Sequence, residues 1–348
     1  MSIDNKSVES VGHQQAMLQN DALDILKFIL ALLVVALHSE LFPGIIYPWV
    51  RIAVPSFFVI SSFLFFSRNK ETQDLAGYSW RILRLYVAYF VVLLPVTIYV
   101  HRGDWFGDGF FNGSVSFLRS LICGSTFLAS WFFVALLISV LVVDSLRRLF
   151  PSSIIVCLTL PLFIMTVAGS SYSYVLDKHG LLNTVVTLCM EIGALRAMFW
   201  VAIGSWIADF SMRRESHILA SRRVLFAVLV LGAALLYGEW MMACRRYGRV
   251  ATNDWLLSLP VVVIPILMLV KDLRISCPIA KDLRLFSVVS YPMHFSIIVC
   301  VLGVLRYFDI VDAYGIVRFL VSLIAVIAGF LLIRICKKHK VPFFSWMA

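Results

Sequence analysis

Charge is scarce in this chain: 14% of its 348 residues are Asp, Glu, Lys or Arg, against about 25% in a soluble domain. Apolar residues make up 61%. That balance excludes an ordinary globular enzyme, a disordered chain and a nucleic-acid-binding module. The seven cysteines, Cys123, Cys157, Cys189, Cys244, Cys277, Cys300 and Cys336, form no CxxC pair or metal-ligand spacing, so no metal site is expected. Most lie in or beside apolar runs, where cysteine serves as a small hydrophobe. Residues 1–21 lack the apolar core of a cleavable signal peptide. Internal repeats, low-complexity tracts and Gly/Ser linkers are also missing, which argues for one compact domain.

Long apolar runs take up the rest. They centre on residues 23–41, 46–66, 82–100, 127–143, 154–168, 192–210, 223–241, 254–270, 285–305 and 315–335. A membrane-crossing helix needs roughly 20 apolar residues. The reading is therefore an all-α integral membrane protein: a single bundle of about ten transmembrane helices spanning 22–336. Tails of 1–21 and 337–348 flank it, and the longer outer loops are expected around 101–120 and 169–190. The formal net charge is +10. Counted on alternate sides of the expected spans, nineteen Lys and Arg lie on the side of the termini and nine on the other. Cytoplasmic loops are enriched in these residues, so both termini are expected in the cytoplasm. Arg245, Arg246 and Arg249 run against that count.

Ionisable groups inside spans are costly and mark sites or pathways. The first span carries Asp24, Lys27 and His38. At 100° per residue, Lys27 and His38 are about 20° apart around the helix and about 16 Å apart along it. Asp24 shares their stripe, placed to hold Lys27 but too far along the axis to orient His38. Asp24 and Lys27 also suit interfacial snorkelling. His38 and His294, in the ninth span, suit either a site or a hydrogen bond between helices. Arg81 and Arg84 are i, i+3 neighbours able to fork onto phosphate, whether of a ligand or of a lipid headgroup. Glu191, Arg196 and Glu239 sit at span ends, where structural pairing is the simpler role. Lys271, Arg274, Lys281 and Arg284 read as determinants of topology.

Five ordered features resemble the membrane acyltransferase 3 family, whose members O-acylate sugars and other acceptors. They are a basic residue, ten residues and a histidine (Lys27 to His38); Val54-Pro55-Ser56-Phe57-Phe58-Val59-Ile60-Ser61-Ser62-Phe63-Leu64-Phe65, similar to VPLFFVISGFLF; and Arg81-Ile82-Leu83-Arg84, similar to RxxR. Further on come Trp131-Phe132-Phe133, similar to part of HLWFL, and Ser287 to His294, similar to SxxxYxxH. The chain departs from the pattern at Lys27, where arginine is usual; at Ser62, where glycine is usual; and at Ala129, where the HLWFL histidine would stand.

The resemblance implies an O-acyltransferase, acetyl transfer being the usual case, in the cell inner or plasma membrane. Its donor would be cytoplasmic acyl-CoA, acetyl-CoA above all, and no cofactor would be bound permanently. Its acceptor would be a hydroxyl of a cell-surface or lipid-linked polysaccharide. The polyanionic donor would bind Lys27, Arg81 and Arg84 as point charges and forks. His38 would be the general base for the acceptor hydroxyl, or the carrier of an acyl-imidazole. Ser61 or Tyr291 would contact the oxyanion and His294 the acceptor. Partners are then acyl-CoA, the glycan and membrane lipids, with no nucleic acid. The rival class is a multi-pass glycan or lipid transporter or flippase, with Lys27, His38 and His294 lining its path. The half-to-half symmetry common in transporters is not visible.

Overall fold

The structure, a computed structural model, describes residues 20–39, 41, 46–68, 74–107, 109–173, 181–212, 221–247, 254–308 and 315–347. Most of the N-terminal tail, with Lys6, lies outside the described residues, as do Lys70, Lys178, Arg213, Arg214 and Arg249. Among the described residues the chain is helical and contains no strand. The helices are α1 (Asp21–His38), α2 (Tyr47–Val50), α3 (Ala53–Phe66), α4 (Leu75–Phe106), α5 (Gly109–Cys123), α6 (Trp131–Leu146) and α7 (Ser152–Gly169). They continue with α8 (Leu181–Glu191), α9 (Gly193–Met212), α10 (Arg222–Tyr247), α11 (Leu259–Val270), α12 (Ala280–Tyr307) and α13 (Gly315–Lys338).

Helix covers each of the ten apolar stretches, but the stretches are unequal. Six helices among the described residues are long and apolar enough to cross a membrane, or seven if α8 and α9, bent by 77° at Ile192, form one broken span. Helix α1 has the length but carries Asp21, Asp24 and Lys27, while α6 and α11 have 16 and 12 residues, short of the roughly 20 a straight crossing needs. Side chains such as Val91, Ile98, Leu158, Leu235 and Ile324 stand exposed on the outer helices, as expected where lipid replaces water. This is a multi-pass membrane protein.

Of the two regions expected as outer loops, 101–120 is largely helical instead, and in 169–190, where residues 174–180 lie outside the described residues, helix resumes at Leu181. Helix α4 runs on to Phe106, and α5 follows it through residues 109–123. Trp105 packs edge-on against Phe117 across that turn, with ring centroids 5.1 Å apart. The stretch 337–348 is not a free tail either. Pro342–Met347 forms a 3-10 turn against α4 and α13, Met347 is buried, and Tyr89 Oη donates to its carbonyl at 3.1 Å. Phe343, Phe344 and Met347 are apolar, which explains why the segment packs.

Helices α3 and α9 form the centre. Helix α9 packs on α3, α6 and α7, and Trp200, Ile203 and Ile207 of α9 are fully enclosed with Phe58 and Phe63 of α3. Small residues let these backbones approach, as is usual between membrane helices. Polar clasps join them: Ser139 Oγ donates to the Ala194 carbonyl at 3.0 Å. At one end of the bundle, Arg147, the residue that caps the end of α6, donates to Ser205 Oγ at 2.9 Å and to Asp209 at 2.6 Å while lying over the Phe66 ring. Beside this centre α12 packs along α1 and α13. Asn20 caps α1 by accepting from Ala22 N at 2.9 Å and donates to the Lys271 carbonyl at 2.6 Å. Asp21 accepts from Cys277 N at 2.8 Å. These bonds fix the start of α1 against the segment leading into α12.

Candidate active site

A cavity of about 740 Å³ opens between α1, α3, α4, α6 and α12. Its outer part is lined where α1, α4 and α12 begin and where α3 and α13 end, and it is rich in cations: Lys27, Arg68, Arg81, Lys281, Arg284 and Lys337. Asp24 and Asp282 are its carboxylates. Asp282 is engaged by Arg334 at 2.8 Å. The inner wall is apolar and aromatic, with Phe57, Phe132, Phe133, Leu136 and Tyr291. A polyanionic head on an uncharged arm matches this division.

Asp24 is the organising charge. Its Oδ1 lies 3.2 Å from Lys27 Nζ, one turn along α1, and its Oδ2 lies 3.5 Å from Arg284 of α12. One carboxylate thus ties together two helices and two cations that would otherwise repel. Lys281 and Arg284, read from the sequence as determinants of topology, stand on the cavity wall. A charge count registers the side of the membrane and not the direction a side chain takes, so their place on the wall was not legible from it. Arg81 lines the cavity as well, lying over the Tyr78 ring at 5.5 Å. Arg84 does not line it, and its Nε is buried without a hydrogen-bond partner. The RxxR pair therefore presents one guanidinium to the cavity.

At the inner end, Ser61 and Tyr291 are wall residues. Tyr291 is held among Phe57 and Phe132, with ring centroids 5.6 and 4.7 Å away. Pro292 within α12 cannot donate to the carbonyl one turn back, which frees an acceptor at Val288, also on the wall. His38 and His294 are not wall residues. His294 is 1% exposed, so an acceptor does not reach it in this structure. Its ring lies 5.7 Å from that of Tyr291 and 5.1 Å from that of His38. His38 stacks on Phe295 at 4.4 Å. The order inward is thus cationic mouth, aromatic wall, Tyr291, His294, His38. Sequence reading singled out each histidine but did not pair them. The signals were that each is a titratable group within an apolar run and that each ends one of the motifs behind the resemblance.

The remaining span-end charges are structural in their contacts. Glu239 of α10 accepts from Tyr172 Oη (2.8 Å), Leu257 N (2.8 Å), Ser258 N (2.9 Å) and Ser258 Oγ (2.5 Å), closing the start of α11. Glu191 pairs with Arg119 at 2.8 Å. Arg196 lies over the Trp131 ring at 4.5 Å, and Arg51 pairs with Asp254 at 2.5 Å. Among the described residues no group of three or more His, Cys, Asp or Glu is arranged to hold a metal ion.

Comparison with known proteins gives two findings. A family model described as an acyltransferase domain matches residues 20–335. The chain is also 22% identical over 356 residues to an amino-acid racemase of Enterococcus faecalis, an alignment covering 93% of this chain and 48% of that protein. The chain thus spans about half the length of the curated relative it matches. No solved structure matches it.

Proposed function

The chain belongs to the acyltransferase 3 family, and from that premise we propose that it moves an acyl group, acetyl in the simplest case, from acyl-CoA to a polysaccharide hydroxyl. The acceptor is a cell-surface or lipid-linked glycan, and the enzyme resides in the cell inner or plasma membrane. With both termini in the cytoplasm, as the proposal has it, the cationic mouth faces the side where acyl-CoA is made. The activity in the racemase relative's name is not carried over, since about half of that protein lies beyond the match.

The observation that carries the reading is the cavity itself. Six cations face it against two carboxylates, both already engaged by basic side chains. Phosphates of coenzyme A would replace water at Lys27, Arg68, Arg81 and Arg284, where charge-assisted bonds are strong. The neutral pantetheine arm would follow the Leu64, Leu85 and Phe132 wall inward and bring the thioester towards Tyr291 and the histidines. Ser61 or Tyr291 would donate a hydrogen bond to the oxygen of the tetrahedral intermediate. A sugar hydroxyl needs a base at the moment of attack, and His38, half-buried at the end of α1, takes that role. In direct transfer the acceptor oxygen bonds the acyl carbon, the carbon–sulfur bond breaks, and the hydroxyl proton passes through His38 to the departing thiolate.

The test is thiol release by the purified protein given acetyl-CoA and a surface glycan, with the glycan's mass followed in parallel. The expected result is coenzyme A thiol together with an acetyl mass gain, both lost in His38→Ala. Full activity in that variant removes His38 from the mechanism. Glycan movement across a vesicle membrane with no thiol release replaces the enzyme with a transporter.

A further inference from the structure

We propose that His294 is a positioning residue for His38, the two rings forming a histidine pair in which one fixes the tautomer of the other. The inference rests on the acyltransferase reading above and adds a residue to its mechanism.

The protonation of His294 follows from its partners. Its Nδ1 lies 2.5 Å from the Tyr291 carbonyl and 3.3 Å from the Ser290 carbonyl, both in the preceding turn of α12. A carbonyl oxygen only accepts, so Nδ1 carries the hydrogen and donates it. Nε2 of the neutral ring is then an acceptor, on the edge turned away from its own helix backbone. That atom is buried and has no hydrogen-bond partner among the described residues. A buried acceptor left unpaired is costly, and one in a native protein calls for a reason. Helix α1 packs along α12, and the ring it brings alongside is His38, 5.1 Å away between centroids. An N–H···N bond between two imidazole edges places centroids roughly 5 Å apart, from about 2.9 Å between the nitrogens plus the two ring radii. No hydrogen bond joins the two rings as they stand, 37° apart in plane, and a rotation of His38 is what would bring one of its nitrogens to Nε2. Phe295, adjacent to His294 in the chain, stacks on His38 and limits that rotation.

The consequence is chemical. A His38 that donates one N–H to His294 Nε2 keeps a lone pair on its other nitrogen, the one turned to the acceptor hydroxyl. When that hydroxyl attacks the thioester, its proton goes to this lone pair, the new oxygen–carbon bond forms and the carbon–sulfur bond breaks. His294 accepts a hydrogen bond from the imidazolium and stabilises it. The proton then leaves His38 for the thiolate, and His294 retains its Nδ1 hydrogen throughout. Tyr291 links the pair to the cavity, its ring forming the wall and its carbonyl anchoring His294.

The experiment uses the full-length protein with nitrogen-15 histidine in detergent micelles, wild type beside His294→Phe and His294→Gln, with kcat and KM measured for acetyl-CoA. The wild-type spectrum is expected to show His294 protonated on Nδ1 and His38 on a single nitrogen. In His294→Phe the His38 tautomers mix and kcat falls about 100-fold, the scale of a lost base-orienting contact, while the acetyl-CoA KM stays within about twofold. His294→Gln, whose amide oxygen accepts, recovers part of kcat. An unchanged His38 tautomer in His294→Phe, or an effect confined to KM, overturns the pair. If His294→Phe does not fold, the wild-type spectrum decides, because a His294 protonated on Nε2 also overturns it. Wild-type protein that releases no thiol refutes the enzymatic reading alone, and its spectrum still judges the pair.

Discussion

Gly204 of α9 meets Ser62 of α3 with no room for a methyl group between them. A Cβ built on Gly204 collides with Ser62 Oγ and would come within 2.5 Å of the Val59 carbonyl oxygen and 2.9 Å of Phe63 N. Ser62 is the position at which the family pattern has glycine. Its hydroxyl turns back to the Phe58 carbonyl at 2.8 Å and the Val59 carbonyl at 3.2 Å, so the added oxygen is satisfied within its own helix. The space that glycine would leave on α3 is taken, and glycine on α9 preserves the close approach.

Gly204→Ala should therefore destabilise the protein by about 1–3 kcal/mol, the usual cost of overpacking. Ser62→Gly should be tolerated and should restore part of that loss in the double variant, the backbone contacts of Gly204 accounting for the remainder. Thermal unfolding midpoints of the four proteins in one detergent check this. Additive single effects would mean that the two residues are not coupled.

Removing a cation from the cavity should weaken the donor. Lys27→Ala and Arg284→Ala should each raise the acetyl-CoA KM by about tenfold or more, as expected for one lost charge-assisted bond. Arg84→Ala, whose side chain is off the cavity wall, should change it by less than about threefold. Lys27→Arg should retain activity. Steady-state kinetics at fixed ionic strength decide the order, and a dominant effect of Arg84 would place the phosphates elsewhere.

Glu239→Gln should lower stability by about 2–3 kcal/mol, because an amide cannot accept from all four donors that converge on the carboxylate. Transfer per folded molecule should be unchanged, since Glu239 is not a cavity residue. The observables are the melting midpoint and the kcat of the folded fraction. A lowered kcat at unchanged stability would give Glu239 a functional role.

Ala129 adopts a left-handed backbone, with φ of 70°, in the turn before α6. That conformation costs a Cβ-bearing residue about 1–2 kcal/mol, only part of which is offset by the entropy glycine loses on folding. Ala129→Gly should raise the unfolding midpoint and Ala129→Val should lower it. The reverse order would show that this turn is not left-handed.

Much of the architecture was legible in the residues. The apolar runs coincide with helices because a helix satisfies its backbone hydrogen bonds within one segment, as lipid requires. The stripe of Asp24, Lys27 and His38 on α1 followed from helix periodicity, and the Asp24 to Lys27 contact is seen at 3.2 Å. Periodicity served less well at 101–120 and 337–348. Aromatic residues spaced among polar ones resemble loop there, and packing against α4 decides otherwise.

Sequence alone determined the class of the protein, most of its helices and the stripe on α1, because hydrophobicity and a 3.6-residue period are properties of one segment at a time. Only the tertiary structure decided what faces that stripe. Asp24 reaches Arg284, and His38 lies beside His294, across more than 250 residues of chain. Both pairings follow from the rotation of α1 against α12, and that rotation is fixed by the close packing of two helix surfaces. Neither helix carries it alone.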